Sequence, residues 1–323
     1  MAILRCNKCN HVAEVPLDYI GKQLPCPACT QAVTVHDTTL FVRKVLQQYF
    51  VMQSELRQLR AAQAPMETAP AELSELDFHN TDHLASEVWH QEIVSWFAGR
   101  QIQVKCNLDA VNTTGFFDEI AVDIGDNYAL FSEVVDKIRW GQQKNVPNFS
   151  IKLGELSQKD GQVLNAFCRR LYDHTFLSKY YYQKADKIGR ASIQSSPAIR
   201  SFFAGEWLEW YALMKLLTFF QEKKRAFSCT RNLSVMFPNE DLHELDVFFL
   251  VDGTPICIEC KTGEFRQDLN KYQRLSKRLG IDRSRFILCC SNLTDEQAAG
   301  LSGMYEMSFV SPSGLLPHIT KLF

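Results

Sequence analysis

The apolar positions of this chain change their spacing several times, and each change marks a structural element. Residues 243–250 (His-Glu-Leu-Asp-Val-Phe-Phe-Leu) and 255–262 (Pro-Ile-Cys-Ile-Glu-Cys-Lys-Thr) are apolar runs rich in β-branched and aromatic residues. Between them lies Val251-Asp252-Gly253-Thr254, and an Asp-Gly pair in that position predicts a β-hairpin. Upstream, Leu213, Leu216, Leu217 and Phe220 recur by three and four, as one face of a helix does. A strand over 228–237, a helix over 265–279 with its stripe at Leu269, Tyr272, Leu275 and Leu279, and a strand over 285–291 complete an α/β pattern.

The first half is patterned differently. Over residues 38–63, Val42, Val45, Tyr49, Met52, Leu56 and Leu59 form a narrow heptad seam. That spacing fits a coiled coil, hence a homo-oligomer joined through the 40–60 helix, or a helix docked on its own chain. Residues 64–75, with Pro65 and Pro70, read as a linker. Residues 76–200 read as an α+β domain of unassigned role, with room for a regulatory ligand or partner. Its predicted helices are 84–97, 128–140 and 159–182, and its strands 101–107 and 116–123. Residues 188–196 read as the join to the C-terminal domain. His79, Asp82, His83 and His90 fit a solvated helix start better than a metal site. Arg169, Arg170 and Tyr172, then Lys179 to Lys184 with three tyrosines between, interleave cations with rings. Such a mixture suits a single nucleic-acid strand or the two sides of an amphipathic helix.

Composition narrows the class. Over 323 residues, 46% hydrophobic and 22% charged content belongs to an ordinary globular protein of two or three domains. A net charge of -2 excludes a generally basic, nucleic-acid-coating protein but leaves room for a local basic groove. No apolar run is long enough to span a bilayer, and the N-terminus lacks the pattern of a signal peptide, which predicts a cytoplasmic protein without membrane contact. Eleven cysteines fit a reducing compartment. Cys6-x-x-Cys9 and Cys26-x-x-Cys29, separated by sixteen residues, have the spacing of a four-thiolate structural Zn²⁺ site over residues 1–37.

The second chemical signal lies in the hairpin. Asp246 opens one strand, and Glu259 and Lys261 close the other with side chains on one face. Charges on a core strand are costly unless paired or bound to a cation. A metal held by Asp246 and Glu259 removes that cost, and Lys261 beside it would serve as a cation or proton acceptor. Asp followed by Glu-x-Lys on the next strand resembles the metal site of the PD-(D/E)XK, or restriction-endonuclease-like, nucleases. Gly205-Glu206-Trp207-Leu208-Glu209 resembles that family's helix glutamate pattern, with Glu209 facing inward and Glu206 as the alternative. The motifs Glu-Leu-Asp-Val and Ile-Glu-Cys-Lys-Thr-Gly are similar to the nuclease domain of CRISPR-associated, cyclic-oligoadenylate-activated nucleases. The proline of the signature is absent.

The resemblance implies a nuclease domain over 201–323, with a mixed sheet flanked by helices. It implies Glu209, Asp246, Glu259 and Lys261 as catalytic residues. It further implies Mg²⁺ or Mn²⁺ held by Asp246, Glu259 and the carbonyl of Cys260. On the helix after the motif, Arg266, Lys271, Gln273 and Arg274 fit either a face turned to nucleic acid or a solvated face. The activity implied is metal-dependent cleavage of DNA or RNA with little sequence specificity, in defence against foreign nucleic acid. The alternative is a non-catalytic adaptor that binds nucleic acid or protein through its ribbon and coiled coil.

Overall fold

The computed structural model describes residues 2–37, 84–112 and 115–323, in two compact units, Met1–Ala71 and Glu72–Phe323. The heptad helix of 38–63, the linker and the histidines at 79 and 83 lie outside the described residues.

The first unit is a four-stranded antiparallel sheet of β1 (Ala2–Arg5), β2 (Val12–Val15), β3 (Gln23–Pro25) and β4 (Ala32–Asp37), in the order β2-β1-β4-β3. Its core is small: Ala2, Leu4, Val33 and Val35 with Cys6 and Cys26. So few apolar groups rarely stabilise a fold without a metal or a disulfide.

The second unit begins with α1 (Glu87–Ala98), β5 (Gln103–Lys105), α2 (Phe117–Asp126), α3 (Tyr128–Lys144), β6 (Asn148–Lys152) and α4 (Gln158–Asp173). It continues through β7 (Leu177–Gln183), β8 (Ile188–Ile193), α5 (Pro197–Ser201), α6 (Trp207–Glu222), β9 (Phe227–Met236), β10 (Leu242–Val251) and β11 (Thr254–Lys261). Then come α7 (Leu269–Leu279), β12 (Phe286–Cys290), α8 (Asp295–Met304), β13 (Ser308–Val310) and α9 (Pro312–Thr320). A six-stranded sheet runs β13-β12-β11-β10-β9-β5, with β11, β12 and β13 parallel and the remaining pairs antiparallel. Helices cover both faces. Among the described residues no helix is long and apolar enough to cross a membrane.

The expected hairpin is present, its turn set by Asp252 and Gly253, both at positive φ (46° and 74°), as a tight two-residue hairpin turn requires. One face of the sheet carries Val247, Phe249, Ile256, Ile258 and Ile287 against α6, whose Leu213, Leu216, Leu217 and Phe220 are buried. The other face carries Phe248, Leu250, Cys257 and Leu288 against α1 and α7, with Leu269, Tyr272, Leu275 and Leu279 turned inward. The parallel strands β12 and β13 are buried throughout, so their residues read as continuous apolar runs.

Three expectations for residues 76–200 change. The predicted strand over 116–123 is the helix α2; Ile120, Val122 and Ile124 imitate strand alternation, but the buried set is Ile120, Ala121 and Ile124. The helix predicted over 159–182 ends at Asp173. Thr175 takes a left-handed φ of 63°, and the Phe176 N–H reaches back to Leu171 O at 2.7 Å, a Schellman-type stop. The tyrosine-rich segment beyond is β7, where aromatic residues fit a half-buried pleat. Residues 188–193, read as a join, are the central strand of a three-stranded antiparallel sheet, β6-β8-β7. The core also runs unbroken past residue 200: Ile124, Phe131, Leu171 and Ala191 share it with Leu213 and Phe249. Gly125 shows how close the packing is, since a Cβ there would lie 2.2 Å from the Tyr211 ring.

Candidate metal centres

In the first unit the two Cys-x-x-Cys segments form matching turns. Cys6 N donates to His11 O and Asn10 N to Cys6 O, both at 2.9 Å; Cys26 N donates to Gln31 O at 2.8 Å and Thr30 N to Cys26 O at 2.9 Å. Asn10 and Thr30 close the turns at φ 57° and 58°. Cys6 Sγ then lies 3.5 Å from Cys29 Sγ, and Cys9 Sγ 3.6 Å from Cys26 Sγ. All four ligand atoms fall within 4.8 Å of one another. A tetrahedral zinc with bonds of about 2.3 Å places its sulfurs about 3.8 Å apart, so the cluster has the dimensions to hold a metal ion such as zinc. The Cys9 backbone N–H draws the Cys6 thiol down to about 6. Cys9 moves the other way, to about 12, despite the His11 hydrogen bond, chiefly because Cys29 is so near. Four thiols this close cannot all ionise without a cation among them.

In the second unit the site forms where the hairpin opens. The β10–β11 ladder pairs Val251 with Thr254 through to Val247 with Ile258 and then ends. In place of a further rung, Cys260 N donates to Asp246 Oδ2 at 2.7 Å. Freed from β10, β11 continues beside β12 alone, through Glu259–Leu288, Cys260–Cys289 and Lys261–Cys290. The side-chain alternation of β10 slips at this point: Leu245 packs with Phe248 and Leu250, not with Val247 and Phe249. On β9, Asn232, opposite the slip, has a φ of 55°. Asp246 thus sits at a fork in the sheet.

Around the fork the structure gathers the charged residues that the sequence singles out. Glu259 is 3% exposed, and its Oε1 is buried without a hydrogen-bond partner. Burial first, then the charge of Asp246, pushes its carboxyl well above the usual range. Asp246 is raised mainly by burial as well, with Lys261 opposing. Burial is the largest influence on Lys261 and works against its charge, but Asp246, Tyr272 and Glu259 together outweigh it and hold the ammonium above its ordinary value. Lys261 Nζ stands 5.6 Å from the Tyr272 ring centre. Glu209 reaches the group from α6, whose first turn follows a π turn at Phe202–Glu206. Gly205 permits a close approach there: a Cβ would lie 3.3 Å from Thr262 Oγ1, which donates to Ala204 O at 3.2 Å. Burial, then Asp246, raises Glu209 to about 8. Glu206 is half-buried and acts on Glu209 by charge alone.

Arg231 of β9 joins this group although it belongs to none of the sequence motifs. It is 5% exposed, donates Nη1 to Glu209 Oε2 at 2.8 Å and Nε to Ala110 O at 2.7 Å, and lies 4.4 Å from the Trp210 ring centre. A basic residue in the middle of the strand predicted over 228–237 is its one signal in the sequence. Among the described residues the four cysteines are the one group of three or more possible ligands within 4.8 Å; Glu209 is turned to Arg231, and Glu209, Asp246 and Glu259 do not all three gather that closely. The predicted nucleic-acid face is mixed. Arg266 pairs with Glu264 at 3.0 Å, Gln273 is half-buried and Arg274 is exposed, while Lys271 acts on Asp246 and Glu259 through its charge.

No family model matches the chain, and no curated protein matches it in sequence. Similar solved structures include Can2 from Sulfobacillus thermosulfidooxidans in complex with cyclic tetra-adenylate, at 15% identity and a TM-score of 0.50 over 71% of this chain and 59% of that one. Protein VC1899 from Vibrio cholerae aligns at 19% identity and a TM-score of 0.49, over 71% of this chain and 60% of its own. This chain therefore spans about three fifths of the length of either protein. The likeness to Can2 is one of fold.

Two measurements test these centres. Full-length protein purified without added metal should carry about one zinc per chain, and Cys26→Ser should lose it; full zinc content in the variant would contradict a four-cysteine site. Arg231→Met should destabilise the second unit by about 3–5 kcal/mol in denaturant, because Glu209 is left buried without its partner. Adding Glu209→Met should restore much of that loss. A double variant whose loss is the sum of both single losses would show that the pair is not coupled.

Proposed function

We propose that the chain is a metal-dependent nuclease whose site is the β10–β11 fork. The observation that carries this reading is Glu259: a buried carboxylate with an unpartnered oxygen, beside a second raised carboxylate, on strands where the sequence resembles the PD-(D/E)XK pattern. Oxygen donors of this kind suit Mg²⁺ or Mn²⁺, and a divalent cation would offset the burial that raises both groups. Asp246, Glu259 and the Cys260 carbonyl would hold the ion, with Glu209 kept beside them by Arg231. When bound, the ion would supply Lewis-acid activation of a phosphodiester and of water. Lys261 offers a fixed positive charge next to that position, suited to holding the attacking water or offsetting charge on the phosphate. Lys271 and Arg274 lie on the adjoining helix to meet the phosphate backbone.

The fold likeness to Can2 agrees with this reading. We further read the first unit as a structural zinc ribbon, since four protein ligands leave no open position for chemistry. All eleven cysteines are free, which fits the reducing cytoplasm and a role in defence against foreign nucleic acid there.

The test is cleavage of labelled single-stranded DNA, duplex DNA and RNA with and without Mn²⁺. Lys261→Ala should keep its fold and lose about 10²-fold or more in rate. Asp246→Asn should lose activity at low Mn²⁺ and regain part of it at high Mn²⁺. No cleavage of any substrate by the wild type, or full activity in Lys261→Ala, would remove the reading.

A further inference from the structure

The sheet β6-β8-β7 has two unlike faces. Inward, Ile151, Leu177 and Ala191 are buried in the core with Tyr180 and Tyr182 packed against it. Tyr180 donates its hydroxyl to Asn165 Oδ1 at 2.7 Å. Gly189 makes room for that ring, since a Cβ there would lie 2.9 Å from the Tyr180 oxygen. The inner tyrosines are therefore core residues.

The outer face is polar and basic. Tyr181 is directly opposite Arg190, which is opposite Ser150; Lys179 is opposite Ser192, which is opposite Asn148. Side chains on these two rows share one face. Tyr181 is 58% exposed, and Lys179 and Arg190 are exposed. Arg190 Nε donates to Gln183 at 3.4 Å, and no carboxylate pairs with Arg190 or Lys179 among the described residues. The three strands and the 184–187 turn hold five basic residues (Lys152, Lys179, Lys184, Lys187 and Arg190) and one acidic residue, Asp186, in a chain whose net charge is -2; of the five, Lys152 is paired with Glu155 at 3.0 Å. A shallow depression of about 450 Å³ runs across both rows. Arg170, by contrast, is tied to Glu119 and Asp123 at 3.2 and 3.0 Å and does not join this surface.

We propose that this sheet face is a binding platform for a single strand of nucleic acid, separate from the fork. Lys179 and Arg190 meet backbone phosphates, Tyr181 stacks on one base, and Ser150 and the amide N–H groups of Asn148, whose oxygen accepts from Ser192 at 2.7 Å, supply hydrogen bonds that carry no sequence preference. An exposed ring flanked by cations on a flat sheet suits unpaired bases, because in a duplex the faces of the bases are already stacked. An apolar rim that would favour a protein partner is missing from these rows. The choice of substrate class rests on the nuclease reading above; the binding itself does not need cleavage.

Fluorescence anisotropy of the full-length protein in EDTA, with labelled 20-nucleotide oligothymidylate and oligouridylate, tests this directly. Tyr181→Ala should weaken binding about 10-fold or more, and Tyr181→Phe, which keeps the ring, should bind like the wild type. Lys179→Ala with Arg190→Ala should weaken binding and flatten the salt dependence by about 1.4 log units per decade, for two phosphates on a single strand. All three positions are at the surface, so melting temperatures should match the wild type. Unchanged affinity in both Tyr181→Ala and the double variant overturns the platform, as does absence of oligonucleotide binding in EDTA. Tyr181-dependent binding without any cleavage in Mn²⁺ would sustain the platform while removing the nuclease reading.

Discussion

The hydrogen bond from the Cys260 N–H to the Asp246 carboxylate decides the form of the larger unit. A strand of a mixed sheet must satisfy its backbone donors on two sides, and at Cys260 one of them is met by a side chain. That substitution lets β11 leave β10 while staying beside β12. The gap so made is lined by charge, not by apolar residues. Glu259 is sealed in the core, and the charges of Lys261 and Lys271 oppose the acidic ones. A sheet that was only structural would gain by closing this gap with apolar residues, because a buried carboxylate with an empty oxygen is a net cost.

Arg231 and Glu209 extend the same logic to α6. The guanidinium bonds a carboxylate and a backbone carbonyl and covers the face of Trp210. Helix and sheet are thereby fixed to one another beside the fork. The tight approach of Gly205 to Thr262 does the same at the end of β11. In the smaller unit a metal-sized cluster of thiols takes the place that apolar packing has in the larger one, because six buried residues offer too little surface to hold a sheet.

The hairpin, α6, α7 and β12 were legible because their apolar periods agree with their turn chemistry: Asp252-Gly253 bends where the runs of β10 and β11 require it. The cysteine cluster was legible from spacing alone. Residues 116–126 and 174–193 were not. Ile120, Val122 and Ile124 alternate in sequence but sit in a helix, since the neighbouring core decides between the two periods. The stop at Thr175 is made by a non-glycine residue in a left-handed conformation, which no local signal announces. The charged residues of the fork could be named from the hairpin, but the partner of Glu209 could not, because Arg231 approaches from a strand whose pairing is set by the whole sheet.

The chemistry proposed for the fork depends on Glu259 being buried for a cation and not for a structural partner. The direct measurement is the melting temperature of the wild type and Glu259→Gln with increasing Mn²⁺. Binding to the folded state alone should raise the wild-type value by about 5 °C or more at saturating metal. Glu259→Gln, relieved of a buried acid, should melt at or above the metal-free wild type and fail to respond to Mn²⁺. A wild type that ignores Mn²⁺, together with a Glu259→Gln protein of lowered melting temperature, would contradict a cation site at the fork.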